Sequence, residues 1–163
     1  MEHLWSPWRM EYILREKKLG CVFCEGLEKS DGAGNLILYR AQFCYAILNR
    51  YPYTSGHLMI VPYVHKASLD ELSPEIRAEM IELSVQAMRV LRAVYQPQGF
   101  NLGMNIGEVA GAGILDHVHL HVVPRWSGDT NFMSAIANAR LLPELLEDSH
   151  QKVKEGWDSL AGS

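Results

Sequence analysis

DHVHLHVVPRW (116–126) places three of the chain's seven histidines at every second position. In an extended strand, successive side chains alternate faces, so His117, His119 and His121 project together. Val118, Leu120 and Val122 then form an apolar face on the other side, ready to meet a core. A helix would scatter the same spacing around its circumference at roughly 100° per residue. The β-branched neighbours favour the strand as well. Three imidazoles in register support two chemistries. They can be ligands of an open catalytic metal site. Alternatively, one acts as nucleophile or base while its neighbours orient and protonate it.

The preceding loop bears on that choice. VAGAG (109–113) sets small residues directly before the strand, where backbone N–H groups can surround an anion. No Gly-Lys-Ser/Thr follows, so this is not a P-loop. Beside three aligned histidines, the loop favours phosphate chemistry over a plain metal site.

A chain of 163 residues is long enough to bury a core without disulfide help. Its 48% hydrophobic and 21% charged content are those of a globular domain. The formal charge of −4 argues against broad binding to nucleic-acid backbones, which want a basic surface. It leaves room for a small anion held by a few placed donors. No apolar run reaches the length of a membrane span, and MEHLWSPWRMEYI lacks the layout of a signal peptide. The expected compartment is the cytoplasm, with no membrane partner. The three cysteines, Cys21, Cys24 and Cys44, are an odd set that speaks against a disulfide framework.

One domain is expected over 1–163, with an N-terminal segment (1–34), a sheet–helix core (35–132) and a helical tail (133–163). NLILYR (35–40) and FCYAILN (43–49) read as strands joined by a tight turn at Ala41-Gln42, and HLMIVP (57–62) as a third. Residues 74 to about 96 form the clearest helix. Ser73 is its N-cap, Pro74 suits its first turn, and Ile76, Met80, Leu83, Ala87, Val90, Leu91 and Val94 make one buried stripe. FNLGMNIG (100–107) reads as a fourth strand, and a second helix is expected from near Pro143, packing through Leu145, Leu146, Val153 and Trp157. Strands that follow one another closely predict an α+β fold: a mainly antiparallel five-stranded sheet, one long helix packed on it, and a C-terminal helical tail.

The run from His117 to Val123 resembles the His-φ-His-φ-His-φ-φ signature (φ apolar) of the histidine triad superfamily. AILNRYPYTSGHLMIVPYVHKASLDEL (46–72) is similar to that family's upstream half. LWSPWRMEYI and VVPRWSGDTNF (122–132) resemble its bacterial diadenosine tetraphosphate phosphorylase-like branch. The similarity spans roughly residues 4 to 147.

The resemblance implies that His119 attacks the α-phosphorus of a nucleotide, giving a nucleotidyl-histidine that water or phosphate then resolves. It implies that the other ring nitrogen of His119 donates to the carbonyl of His117, fixing the tautomer. His121 and His57 would contact phosphoryl or bridging oxygens, and the amides of Gly111, Ala112 and Gly113 would offset phosphate charge. Asn49 matches a ribose-binding position, and Ile47 and Met59 fall where apolar side chains sandwich the base. Gly113 stands where several branches carry a phosphate-contacting glutamine. Asn105 and Asp116 are the candidate substitutes.

Cys21-Val-Phe-Cys24 has the spacing of half a zinc knuckle. Some histidine triad relatives complete such a pair with two histidines, here His65 and His117, and Cys₂His₂ closure would make the zinc structural. The alternatives are a redox pair, which usually sits beside a βαβ pattern absent here, and a reduced, metal-free pair. Cys44 reads as a small buried residue, and no organic cofactor is expected. Trp5, Trp8 and Trp126 are candidates for a base or dimer surface or for ordinary packing, and Arg125 for a phosphate contact or plain solvation. His3 and His150 match no motif.

The reading is a homodimeric enzyme that cleaves a nucleotide phosphoanhydride, with a dinucleoside polyphosphate as first-choice substrate. Its alternatives are an adenosine phosphoramidate or nucleotidyl-adenylate hydrolase, a slow-turnover nucleotide-binding regulatory protein, and a metal oxygenase or isomerase that uses the triad as ligands.

Overall fold

The computed structural model describes residues 20–129 and 144–161. Strands β1 (Ile37–Arg40), β2 (Cys44–Leu48), β3 (Leu58–Pro62), β4 (Gly99–Gly103) and β5 (Leu120–Arg125) form one sheet, antiparallel throughout, in the order β1-β2-β3-β5-β4. Three α-helices are described: α1 (Val22–Leu27), α2 (Pro74–Tyr95) and α3 (Leu146–Ala161). This is the expected α+β architecture.

Helix α2 follows its sequence signals. Ser73 accepts from the Ile76 N–H at 3.4 Å, and the left-handed Gln96 (φ 48°) ends the helix just before Pro97. Its 22 residues carry the chain about 33 Å along the sheet. The expected stripe is the buried one, with Ser84 added between Met80, Leu83, Ala87, Val90 and Leu91. Ile76 and Val94 pack at its margin.

Alternation along the strands divides the sheet into two faces. Ala46, Leu48, Leu58, Ile60, Leu120 and Val122 share one, with Cys44, whose thiol reaches the Ile76 carbonyl of α2. This face and α2 make the main core, where each buried Leu or Ile contributes roughly 1.5–3 kcal/mol. The other face carries Tyr45, Ile47, Met59, Val61 and His121. Helix α3 lies against α2 and β1 with Val153 and Trp157 buried. A Cβ on Gly156 would sit 2.6 Å from Val94 Cγ2, so that glycine allows the close helix approach. His150, which matches no motif, is a core residue bound to the Ile37 carbonyl.

Several boundaries differ from expectation, each for a local reason. β1 begins at Ile37 because Leu36 is left-handed (φ 63°) and the Asn35 side chain knots the preceding loop, bonding Gly26, Lys29, Asp31, Gly32 and Ile37. β4 covers 99–103 rather than 100–107, because its pairing with β5 ends at Gly103↔His121. β5 begins at Leu120, so His117 and His119 precede it. There the chain leaves β3, and Val118 N–H donates instead to the Lys66 carbonyl. α3 begins at Leu146, and Leu145, expected to pack, is 71% exposed. Pro143, Trp5, Trp8 and His3 lie outside the described residues. The six-residue α1 was not anticipated.

The β1–β2 connection is closed by Ala41 N–H to the Cys44 carbonyl and is tied to α2 through Glu79. The carboxylate of Glu79 accepts from the N–H groups of Gln42, Phe43 and Cys44 at 3.2, 2.6 and 2.7 Å. Replacing it leaves these donors without their charged partner. Glu79→Ala is expected to lower stability by about 2 kcal/mol in urea unfolding, with Glu79→Gln losing less. A loss below about 0.5 kcal/mol would show that water replaces the carboxylate without cost.

Candidate active site and metal centre

The chain segment 117–121 turns all three imidazoles to the face opposite α2, while Val118, Leu120 and Val122 are buried behind them. The His119 and His121 rings meet edge-on with centroids 4.8 Å apart. His119 Nδ1 donates to the carbonyl of His117 at 2.9 Å. That bond fixes the proton on Nδ1 and leaves the Nε2 lone pair available. Burial pushes His119 below the ordinary histidine value and opposes charging of the free ring, while the carbonyl bond pulls the other way.

His57, one residue before β3, completes the group. A Cβ on the preceding Gly56 (φ +76°) would lie 2.9 Å from Leu91 Cδ2 and Tyr95 Cε2, so only glycine lets the loop turn against α2 here. Tyr53 N–H donates to His57 Nδ1 at 3.0 Å, which places the His57 proton on Nε2. That proton is donated to His121 Nδ1 across 2.9 Å, so His121 in turn carries its own proton on Nε2. One backbone N–H thus sets two tautomers in series. Burial, with the neighbouring His119 adding to it, holds His121 down at about 4, so it is neutral at physiological pH.

A cleft of about 310 Å³ opens beside His121, lined among others by Tyr53, Asn101, Met104, Asn105 and Arg125. Ile47 and Met59 are cross-strand partners on the histidine face and nearly buried, with Met59 opposite His121. The Asn49 amide nitrogen lies 3.4 Å from both His57 ring nitrogens, while its oxygen accepts from Tyr51 N–H. In the glycine-rich loop, Gly111 N–H donates to the Glu108 carbonyl and Ala112 N–H to that of Gly107. Two of the three amides expected to receive phosphate therefore close the local turn, and this loop does not line the cleft.

Arg125 forms a bidentate pair with Asp129 and also donates to Asn101 at 2.7 Å, so it clips β4 to β5 at the cleft wall. Trp126 donates to the Tyr95 carbonyl and packs against the Tyr95 ring at the end of α2.

The second constellation lies behind the first. Cys21 Sγ, Cys24 Sγ, His65 Nδ1 and His117 Nδ1 lie within 4.8 Å of one another. Cys21 and Cys24 approach His117 Nδ1 to 3.2 and 3.7 Å, and Cys24 approaches His65 Nδ1 to 3.4 Å. A tetrahedral ion with ordinary zinc–sulfur and zinc–nitrogen bonds holds sulfur and nitrogen ligands roughly 3.5 Å apart. His117 Nε2–H donates to the Pro62 carbonyl at 2.9 Å, which turns the Nδ1 lone pair toward the thiols. Burial, followed by the neighbouring Cys21 thiol, raises Cys24, so without a metal it stays protonated. These four residues can hold a metal ion; His119 and His121 are not part of the group.

Sequence reasoning missed Phe23 and Tyr53. Phe23, between the paired cysteines, is 2% exposed and packs on both His117 and His119. Tyr53 lays its ring beside His57 with centroids 4.6 Å apart. The x positions of a CxxC and a loop aromatic carry no signal of that placement.

Residues 33–128 match the HIT domain. The chain is 38% identical over 166 residues to an AP-4-A phosphorylase of Mycobacterium tuberculosis, covering 96% of this chain and 85% of that protein. Among solved structures, a Zn-bound histidine triad family protein from Mycobacterium smegmatis superposes with a TM-score of 0.71 at 28% identity, over 88% of this chain and 97% of the other. A hypothetical histidine triad nucleotide-binding protein from Sulfolobus tokodaii gives 0.69 at 25% identity, over 86% and 93%. An imidazole held by its Nδ1 on a backbone carbonyl, a five-stranded antiparallel sheet and these likenesses agree: the chain belongs to the histidine triad family.

Proposed function

We propose that this protein is a nucleotidyl hydrolase/transferase that cleaves a phosphoanhydride of a dinucleoside polyphosphate such as diadenosine tetraphosphate. The observation that carries the reading is the fixed tautomer of His119, with Nδ1–H on the His117 carbonyl and Nε2 left as the nucleophile. The Nε2 lone pair forms a bond to the α-phosphorus as the bridging P–O bond breaks. The leaving nucleotide carries away the bond electrons and the nucleotidyl-histidine remains. A second nucleophile then restores His119 by taking the nucleotide. Phosphate is our choice, supported by the name of the M. tuberculosis relative.

His121 works in this reaction as a hydrogen-bond donor. Held neutral, it has no second proton to give, because His57 Nε2–H already occupies its Nδ1 lone pair. A nucleotide leaving group needs no proton, since a terminal phosphate ionises with a pKa of about 6. An amine leaving group does need one. The neutral His57–His121 pair therefore favours anhydrides over phosphoramidates. Ile47 and Met59 are assigned to the base, Asn49 to the ribose, and Asn105 with the Gly113 end of the loop to phosphate.

The Cys21, Cys24, His65 and His117 set is assigned to one structural zinc, supported by donor chemistry, spacing and the Zn-bound relative. Bound there, zinc supplies a rigid cross-link and no catalysis, because four protein ligands leave no open position. Reduced thiols of this kind fit the cytoplasm. Among the described residues no helix is long and apolar enough to cross a membrane. We also assign a homodimer. Among the described residues β4 is an unpaired sheet edge, and Leu102, Ile106 and the fully exposed Val109 make its surroundings apolar.

Incubation with diadenosine tetraphosphate is expected to yield ADP and ATP only when phosphate is present. AMP with ATP in plain buffer would instead make water the acceptor. His119→Ala should lower turnover about a thousandfold or more, and an unchanged rate sinks the nucleophile assignment. Cys21→Ser is expected to lose bound metal by elemental analysis, with one zinc per chain in the parent. Full retention of metal would overturn this ligand set. Sedimentation should give twice the chain mass, falling to the monomer when Val109 and Leu102 are replaced by Asp. A parent monomer excludes the dimer.

A further inference from the structure

The nucleotidyl-histidine of the proposed reaction carries a charge that the free enzyme does not. When Nε2 of His119 bonds phosphorus while Nδ1 keeps its proton, both ring nitrogens are substituted and the imidazole becomes a cation. No proton moves in that step, because the charge comes from the Nε2 lone pair given to phosphorus. The cation forms in a buried place: His119 is 5% exposed. Among the described residues no carboxylate bonds or pairs with it, and its polar partner is the carbonyl of His117.

What does lie against this ring is Phe23. Its centroid is 5.0 Å from that of His119 with the planes tilted by 59°, within the roughly 6 Å at which an aromatic face attracts a cation placed over it. The same phenyl meets the His117 ring edge-on at 5.3 Å. Phe23 is itself firmly placed. Cys21 and Cys24 on either side belong to the metal-capable cluster, and the Phe23 carbonyl accepts from Tyr45 OH at 3.2 Å. Helix α1 has six residues and no side-chain cap, too little to stand alone, so these anchors are what hold the phenyl on the nucleophile.

We propose that Phe23 is a positioning residue for His119, one that holds the ring in its attacking orientation and stabilises it most once it becomes the cationic nucleotidyl-histidine. This rests on the covalent reading above. It adds a reason for an aromatic residue inside the CxxC: the cluster anchors the phenyl, and the phenyl serves the nucleophile.

The test replaces Phe23 by fluorinated phenylalanines, which keep its shape while draining negative charge from the ring face. With diadenosine tetraphosphate, the rate of nucleotidyl-enzyme formation by rapid quench and intact mass should fall stepwise from phenylalanine through difluoro- to pentafluorophenylalanine. The full loss should be roughly 3- to 30-fold, with KM, bound metal and the unfolding midpoint unchanged. In the substrate-free protein, the ¹⁵N-coupled ring signal of His119 should report one Nδ1–H tautomer throughout this series and two in exchange in Phe23→Leu. Equal rates across the series, in a parent that forms the nucleotidyl-enzyme, overturn the proposal. A parent that never forms it overturns the covalent reading first, and the two failures are distinct.

Discussion

The hydrogen bond from His119 Nδ1 to the carbonyl of His117 is the constraint on which the rest of the site depends. An imidazole with a free choice of tautomer presents its lone pair at the wrong nitrogen part of the time. Here the acceptor is a backbone oxygen two residues away, so its position is as fixed as the chain. The chain is fixed in turn by the His117 side chain, whose Nε2 is bound to the Pro62 carbonyl and whose Nδ1 faces Cys21 and Cys24. One residue therefore orients the His119 ring with its backbone and anchors the segment with its own ring.

A second consequence of burial is electrostatic. His57, His121 and His119 stand ring to ring and would repel one another if charged, and desolvation already pushes His119 and His121 down. The hydrogen bonds set the ring protons directionally: Tyr53 N–H donates to His57 and His57 Nε2–H to His121, which leaves the His121 proton on Nε2. Such a chain binds negative charge by donation and needs no fixed cation nearby. Arg125, the conspicuous candidate at the cleft, is instead committed to Asp129 and Asn101. This agrees with the net charge of −4, which left room for a small anion held by placed donors and none for a broad basic surface.

The fold serves these contacts by its strand order. β5 lies between β3 and β4, which brings His57 and Met59 from one side and the cleft residues of β4 from the other. α2 packs on the opposite face, so the main core forms there, away from His119 and His121. On the site face, Phe23 of α1 lies over His117 and His119, and the cleft opens beside His121 and β4.

Much of this was legible from residues alone. Period-two histidines set against Val118, Leu120 and Val122 determined the two faces of that segment, though only Leu120 onward is strand, and the 3,4 stripe with Ser73 and Pro74 determined α2. Both patterns work because a regular backbone repeats its geometry, so side-chain direction follows from position. Where the backbone is irregular, that inference ended. The knot at Asn35, the left-handed Leu36 and the end of β4 at Gly103 depend on hydrogen bonds to distant or non-repeating partners. The amides of VAGAG looked available as a string of small residues, and only the turn they close showed that two of them are used. Cys21, Cys24, His65 and His117 were nominated by resemblance, but their convergence joins four ligands from three chain segments and belongs to the tertiary structure. The same holds for Phe23 on His119 and Tyr53 on His57, because a contact between remote residues is set by packing and leaves no periodic trace in the sequence.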